Sequence, residues 1–224
     1  MKKIKWHIKN ILRIITAKID RKLYDIDKIV VVSNNCFGGE IYTRLGLKFN
    51  TPFIGLFIFG SDYIKLLTRI EFYLDHELQF VKTSKWSKKK LEYPVALLND
   101  IEIHFMHYES EKDAKDKWVR RLKRMRTCGA FEDFVYKFCD RDGATFKELE
   151  VFHELSFQHK LSFSVNEFPN VNHLQINDKQ TDRVPDGVEL YVICQRYFDL
   201  YNWLISGVLK KSCYSTIKSK LDIA

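Results

Sequence analysis

Short runs of β-branched and aromatic residues alternate along this chain with segments whose apolar residues recur at helical spacing, and this alternation constrains the fold most. The strand-like runs cover residues 28–33, 53–59, 94–98, 101–108, 134–139, 160–165 and 188–194. The helix-like segments cover residues 40–45, 62–81, 110–126, 144–155 and 196–206. Such alternation is typical of a largely parallel sheet with helices on both faces. We therefore predict one three-layer α/β domain over residues 25–224, preceded by an amphipathic helix over residues 1–24.

Length and cysteine content agree with a single reduced globular domain. The 224 residues fall below the ~250–300 at which a single core stops growing, and 46% of them are hydrophobic. The five cysteines are an odd number and contain no C-x-x-C pair, so neither a disulfide framework nor a structural zinc site is expected. We expect free thiols and a cytoplasmic protein.

The first 24 residues carry most of the positive charge. They hold eight cations and one anion, whereas the whole chain has a net charge of +8. Their isoleucines recur every three or four residues and predict an amphipathic helix with a cationic opposite face. The stripe consists of Ile4, Ile8, Ile11, Ile15 and Ile19.

Two interpretations of this segment are open. In the first, the helix lies on an anionic membrane surface at the inner face of the plasma membrane, with Trp6 at headgroup level. In the second, the isoleucine stripe packs on the body of the chain and the lysines are merely solvated. Because the rest of the chain is close to neutral, no nucleic-acid partner is expected. No apolar run reaches the ~18 residues that a membrane-spanning helix needs.

The stretch from Asn34 to Gly39 is the first candidate site, because it joins a predicted strand to a predicted helix. Glycines let backbone N–H groups approach a ligand, and a helix start favours an anion. The candidate substrate-binding residues here are Asn34, Asn35, Cys36, Gly38 and Gly39. A helix start also predicts a lowered pKa for the Cys36 thiol, which would make it a nucleophile. The alternative is a tight turn with Cys36 as a small buried apolar residue.

A second candidate site is the His104–Tyr108 stretch at the end of a predicted strand. Strand alternation puts His104 on the face of Glu102 and His107 on the other face, so a shared metal site is not expected. One histidine would act as the general base, preferably His107 because it is nearer the strand end. Tyr108 is a candidate substrate contact. The alternative is a core histidine bonded to the backbone.

Two further clusters are weaker. Arg120 and Arg121 lie on a predicted helix and have the forked donors that suit a phosphate, although a solvated helix face explains them equally well. Asp140 and Asp142 follow a strand in an Asp-Arg-Asp-Gly turn. A divalent-metal site is possible for such a pair, but a capped turn explains the same residues, and we predict no metal ligand.

Several of these motifs occur together in one order. They are Val31–Tyr42, Leu45–Leu47, Thr51–Phe57, Tyr93–Pro94, His104–Tyr108 and Ala114–Arg121. The set resembles the bacterial domain of unknown function 1919 family, over residues 28–165. Phe37 stands where that family is expected to have Trp, and Thr51 where it is expected to have Ser. Members are often labelled exopolysaccharide biosynthesis proteins, so the resemblance implies a role in surface-polysaccharide assembly without implying a reaction.

These observations leave two functions open. The first is a membrane-peripheral glycosyl or acyl transferase that uses an anionic activated donor, such as a nucleotide sugar or acyl-coenzyme A, and a glycan acceptor. It requires the asparagine–glycine turn, a histidine and the arginine pair to meet in one hollow. The second is a non-catalytic binding or scaffold module, which would have a shallow, open surface around Asn35. The sequence identifies no cofactor.

Overall fold

The computed structural model describes residues 2–24, 26–87, 90–177 and 181–221, without the side chains of residues 2–6 and 10. Its helices are α1 Lys2–Tyr24, α2 Phe37–Leu45, α3 Gly60–Thr68, α4 Ile70–Leu74, α5 Glu111–Met125, α6 Phe146–Glu154, α7 Gly187–Cys194, α8 Leu200–Ser206 and α9 Cys213–Lys220. Its strands are β1 Val31–Ser33, β2 Leu78–Val81, β3 Val95–Leu98, β4 Ile101–His104, β5 Val135–Cys139, β6 His159–Ser164 and β7 His173–Gln175.

The strands form two sheets. The larger sheet has the order β1-β5-β6-β7 and is parallel throughout, with Val31 opposite Val135 and Cys139 opposite Phe163. The smaller sheet, β2-β3-β4, is antiparallel. Since parallel pairs require crossovers, the whole segment between β1 and β5, including the small sheet, is one long connection.

Alternation along β5 separates two apolar cores. Val135 and Cys139 point to a core formed with α2, α7 and α8. Tyr136 and Phe138 point to a second core on the other face, which contains α3, α5, α6 and the small sheet. The predicted three-layer α/β fold with a largely parallel sheet is confirmed.

The predicted strand over residues 53–59 is wrong. The segment is extended but forms only one bridge, between Phe57 and His104. Consecutive backbone N–H groups of the segment donate to two different partners. Phe57 N donates to His104 O at 2.9 Å, and Ile58 N donates to Asn34 O at 2.9 Å. The segment therefore connects the two sheets instead of joining either one.

Two other predictions fail for tertiary reasons. The helix predicted over residues 62–81 is interrupted at Arg69, and its last residues form β2, because they pair with β3. The strand predicted over residues 188–194 is helix α7. A short apolar run does not distinguish a buried strand from a buried helix. Here the Asp186 side chain caps the helix by accepting from the N–H groups of Val188 and Glu189.

Helix α1 is present as predicted, but its isoleucine stripe faces outward. Ile8, Ile11 and Ile15 are 52%, 57% and 48% exposed. The opposite face contacts the body, where Asp20 pairs with Lys218 at 2.9 Å. The interpretation in which the stripe packs on the body of the chain is therefore wrong for the described side chains, which do not include Ile4 and Trp6. Within the described ranges, no helix has the length and apolar character needed to cross a membrane.

Candidate functional site

A cleft opens at the point in the parallel sheet where the helices that follow adjacent strands lie on opposite faces. Helix α2, which follows β1, packs on one face of the sheet, whereas α6, which follows the adjacent strand β5, packs on the other. The two loops therefore diverge and leave a crevice beyond the carboxyl ends of the strands, as expected at a topological switch point. The cleft has a volume of about 840 Å³. It is lined by Asn35, Cys36, Phe57, Met106, His107, Arg141, Asp142, Asp186, Gly187, Val188, Glu189, Val192, Ile193 and Arg196.

A buried lysine lies beneath the cleft. Lys137 is fully buried in the middle of β5. Its Nζ lies 3.2 Å from Oδ1 of Asn34, 3.0 Å from Oδ1 of Asn35 and 3.0 Å from Sγ of Cys139. A buried ammonium is tolerated only with such partners, so Lys137 fixes both amide oxygens toward itself.

The orientation of the two amides determines the surroundings of Asp142. With their oxygens on Lys137, Asn34 and Asn35 each donate Nδ2 to Oδ2 of Asp142 at 3.1 Å. An ammonium, two amides and a carboxylate thus form a continuous polar network that ends at the wall of the cleft. We call Lys137, Asn34, Asn35 and Asp142 the amide network.

The electrostatics of Asp142 suit proton transfer. Burial raises the pKa of its carboxyl above the ordinary value, and the nearby Lys137 ammonium and the Asn35 amide offset that rise only in part. A carboxyl whose pKa is raised by burial, and which faces a cleft, is a candidate general acid or base.

Two helices begin at the cleft beside this network. The first N–H of α2, that of Phe37, lies 3.3 Å from Oδ1 of Asn35, and Gly187 at the start of α7 packs directly against it. A Cβ at position 187 would lie 2.4 Å from Phe37 N and 2.7 Å from the Asn35 oxygen. Glycine is therefore required there for α7 to approach the turn.

Cys36 lines the cleft, but its thiol is not activated. Burial, together with the carboxylates of Asp142, Asp186 and Glu40, raises the pKa of Cys36 to about 11. The lowered pKa expected from the helix start is wrong, because desolvation and nearby negative charge outweigh the helix end. The thiol is protonated at neutral pH.

The two histidines occupy different environments. His107 is exposed and lines the cleft, and its backbone N–H donates to Gly55 O at 3.1 Å. His104 is 1% exposed, with Nε2 2.7 Å from Oε1 of Glu102 and its ring stacked on Phe57 at 4.4 Å. Desolvation lowers the pKa of His104 despite the carboxylate of Glu102. Of the two predicted bases, the structure places His107 in the cleft and His104 in the core behind Phe57.

The arginine pair does not line the cleft, so the expected meeting of the asparagine–glycine turn, a histidine and both arginines in one hollow is wrong for the arginines, and any anion contact in the cleft has to come from other residues. Arg121 is buried, donates to the Tyr108 hydroxyl at 2.6 Å and lies over the ring of Phe49 at 4.8 Å. Tyr108 in turn donates to Ile54 O at 2.5 Å. Both side chains therefore brace the turn that carries His107, whereas Arg120 is exposed on α5.

Gly38 and Gly39 are also packing residues. A Cβ at position 38 would lie 3.2 Å from the side chains of Ser33 and Val31, and one at position 39 would lie 3.7 Å from Ile54. Gly38 lets α2 lie close to β1, whereas position 39 has room for a methyl group, and neither glycine lines the cleft.

The two carboxylates of the acidic turn after β5 have different hydrogen-bond partners. Asp140 accepts from Val165 N at 2.8 Å and from Val184 N at 2.9 Å, so it ties three loops together. Asp142 accepts from the side-chain amides of Asn34 and Asn35. Among the described residues, no group of three or more histidine, cysteine or carboxylate side chains is arranged to hold a metal ion.

Sequence reasoning identified Asn34 and Asn35 but missed other residues of the site. The signal for Lys137 was a single cation inside the apolar strand run 134–139. Arg141, Asp186 and Arg196 had no distinguishing pattern, because they come together only through the β1–β5 pairing and the helical conformation of α7.

The fold and the cleft together define a three-layer α/β protein with a desolvated acid at the switch point of its parallel sheet. The chain belongs to the family described as a domain of unknown function, DUF1919, whose sequence model matches residues 7–204. It is also 38% identical, over 155 residues, to an uncharacterized protein of Haemophilus influenzae. That similarity covers 69% of this chain and 70% of the relative. The resemblance recognised in the ordered motifs is confirmed.

Proposed function

We propose that this protein is a transferase of surface-polysaccharide biosynthesis, which moves a glycosyl or acyl group from an anionic activated donor to a hydroxyl of a glycan acceptor. One observation carries the proposal: the carboxyl of Asp142, desolvated and oriented by two asparagine amides, faces a cleft of about 840 Å³ at the switch point of the sheet. The polysaccharide context comes from the family resemblance. The donors named above are made in the cytoplasm, where the proposal places the protein.

Asp142 acts as the general base in this proposal. Its carboxylate takes the proton of the acceptor hydroxyl while that oxygen forms a bond to the reacting carbon of the donor. The bond from that carbon to the leaving nucleoside diphosphate, or to the thiolate of coenzyme A, breaks and takes its electron pair with it. The Lys137 ammonium beneath the network balances the carboxylate in the resting site.

The walls of the cleft suit an anionic donor with an apolar part. Arg141 and Arg196 contribute cationic side chains, which match phosphate oxygens, beside the carboxylates of Asp142, Asp186 and Glu189. Val188, Val192 and Ile193 of α7 add apolar lining. His107 lies at the exposed side, where it is placed to donate to the acceptor or to the leaving group.

A non-catalytic binding module is the alternative. It predicts a shallow surface around Asn35, whereas Asn35 lies in the wall of the cleft beside a perturbed carboxyl. The volume of the cleft, about 840 Å³, and the raised pKa of Asp142 favour the transferase.

A ligand screen tests the proposal. Nucleotide sugars and acyl-coenzyme A thioesters are added separately to the purified protein, and the melting temperature is measured. At a ligand concentration ~100 times Kd, binding stabilises the fold by ~2.7 kcal/mol, which raises Tm by several degrees. The matched control is Val188→Trp, which fills the cleft from a half-exposed position.

The proposal predicts that at least one donor class stabilises the wild-type protein and leaves Val188→Trp unchanged. If neither class raises Tm, or if Val188→Trp responds as the wild type does, the cleft is not a donor site and the proposal fails.

A further inference from the structure

Helix α1 presents its apolar side chains to solvent. Ile8, Ile11, Ile15, Ile19 and Leu23 are between 45% and 60% exposed and lie along one face at helical spacing. A surface helix of a globular protein normally turns such a stripe toward its own core. This helix has the reverse orientation. We call these five residues the outer stripe.

The reverse orientation is fixed by specific contacts. Asp20, on the inner face of α1, forms a buried ion pair with Lys218, with Nζ–O distances of 2.9 and 3.1 Å. Tyr24 donates to Oδ2 of Asp199 at 2.9 Å. A buried carboxylate with its partner cannot rotate outward without leaving an unpaired charge, so the outer stripe is held away from the body.

Cations border the outer stripe. Lys18 and Lys22 are exposed beside Ile15 and Ile19, and with Arg21 and Asp27 they surround a shallow hollow of about 470 Å³. Arg21 is paired with Asp27 at 3.0 Å. The segment as a whole has eight cations, and its one anion, Asp20, is already bound by Lys218. An outward apolar stripe with a positive margin matches a bilayer surface that offers acyl chains below anionic headgroups.

We infer that the outer stripe docks on an anionic phospholipid bilayer, with its aliphatic side chains at the acyl boundary and Lys18 and Lys22 at the phosphate level. A second copy of the chain is the competing occupant. It is disfavoured because pairing two such helices brings like charges together, whereas an anionic bilayer neutralises them. The inference stands on α1 alone and does not depend on the chemistry of the cleft.

Vesicle co-sedimentation of the full chain tests this inference. The probes are vesicles of phosphatidylcholine alone and vesicles with about 30% phosphatidylglycerol, a fraction that gives an anionic surface. We expect binding to the anionic vesicles at least ~10 times stronger than to the neutral ones, and weaker in high salt.

Two double variants separate the contributions. Ile11→Glu/Ile15→Glu is expected to bind the anionic vesicles at least ~10 times more weakly, because it places charge at the acyl boundary. Lys18→Glu/Lys22→Glu is expected to lose the preference for anionic lipid. The matched control is Val119→Glu/Val171→Glu, which changes two exposed valines outside α1 and is expected to bind as the wild type does.

Thermal melts verify that each variant is folded, which is expected because every substituted position is exposed. Equal binding of wild type and Ile11→Glu/Ile15→Glu would overturn the inference, as would absence of vesicle binding by the wild type. A concentration-dependent dimer that the isoleucine variant abolishes, in a protein that ignores vesicles, would assign the outer stripe to a second copy instead.

Discussion

Lys137 shows how one residue organises the site. An ammonium in the middle of a parallel strand is costly to desolvate, and it is accepted here because two amide oxygens and a thiol surround it. Those contacts fix the amides of Asn34 and Asn35, which then fix Asp142. The need of the buried Lys137 ammonium for hydrogen-bond partners therefore determines how the side chain of Asp142 is held at the cleft.

Replacing Lys137 with Met is predicted to destabilise the protein strongly. The substitution keeps the apolar stem but leaves two asparagine oxygens unpaired and Asp142 without its counter-charge, at a cost of about 3 kcal/mol in the free energy of unfolding. Urea denaturation measures the change. Lys65→Met is the control, since Lys65 forms an exposed pair with Asp100 that is worth less than about 1 kcal/mol. Equal stability of the two variants would show that the amide network does not depend on the ammonium.

Asp142→Asn is predicted to retain or increase stability at neutral pH. Burial raises the folded-state pKa of Asp142, so ionisation costs the folded state more than the unfolded state, even with Lys137 nearby. That cost is absent at pH values below the ordinary aspartate pKa of 3.8 and grows as the pH rises through the folded-state value. Asparagine avoids it at every pH.

Melting curves of wild type and Asp142→Asn across pH 3.5–8 measure this difference. The gain of the variant should appear above about pH 4 and vanish below it. A variant that is clearly less stable than wild type at pH 7 would mean that the carboxylate stabilises the fold, contrary to the direction of its pKa shift.

Part of the site was predictable residue by residue. Asn35, Cys36 and His107 were selected from strand-end motifs, and all three line the cleft. The sequence alone could not distinguish a buried Arg121 from an Arg121 that contacts phosphate. Its burial depends on contacts with Tyr108 and Phe49, which lie in distant segments. The amide network could not be predicted from the sequence, because it depends on the pairing of β1 with β5 across roughly 100 residues of intervening chain.

At the scale of elements, the joint between α2 and α7 shapes the cleft. Both helices start at its edge and pack on the same face of the sheet. Their approach is closest at Gly187, where the backbone of the turn leaves no room for a side chain.

Gly187→Ala is predicted to cost ~1–3 kcal/mol in stability, because the added methyl group would overlap the backbone of Phe37 and force α7 away from the turn. In a domain of this size that corresponds to a Tm lower by roughly 2–12 °C. The control is Gly39→Ala inside α2, where the nearest side chain is at an ordinary contact distance of 3.7 Å. There alanine is expected to stabilise by up to ~1 kcal/mol. A Tm for Gly187→Ala equal to that of the control would contradict the tight joint.

The failures in predicting elements share a cause. Strands β1, β5 and β6 of the large sheet were predictable from their apolar and aromatic residues, as was α5 with its Ser110 cap. β2 and α7 were assigned the opposite type, because their local patterns were overridden by pairing with β3 and by the Asp186 cap. Apolar periodicity identifies buried segments more reliably than it identifies their conformation.

At the scale of the whole molecule, a cleft at the switch point of the sheet occurs together with a helix that turns its apolar side outward. Two cores lie on either side of the parallel sheet, and the ion pair of Asp20 with Lys218 fixes α1 to the body. The proposed transferase and the inferred bilayer contact rest on these two separate features.

Whether Asp142 performs chemistry in the cleft is decided by the yield of surface polysaccharide in the native host. The chromosomal gene is replaced by wild type, by Asp142→Asn, or by the control Asp182→Asn, whose exposed carboxylate pairs with its neighbour Arg183. Since general-base catalysis contributes ~100-fold or more, the account predicts that stably folded Asp142→Asn yields about 1% of the polysaccharide or less, while Asp182→Asn yields as much as wild type. Wild-type yield from folded Asp142→Asn would contradict the account.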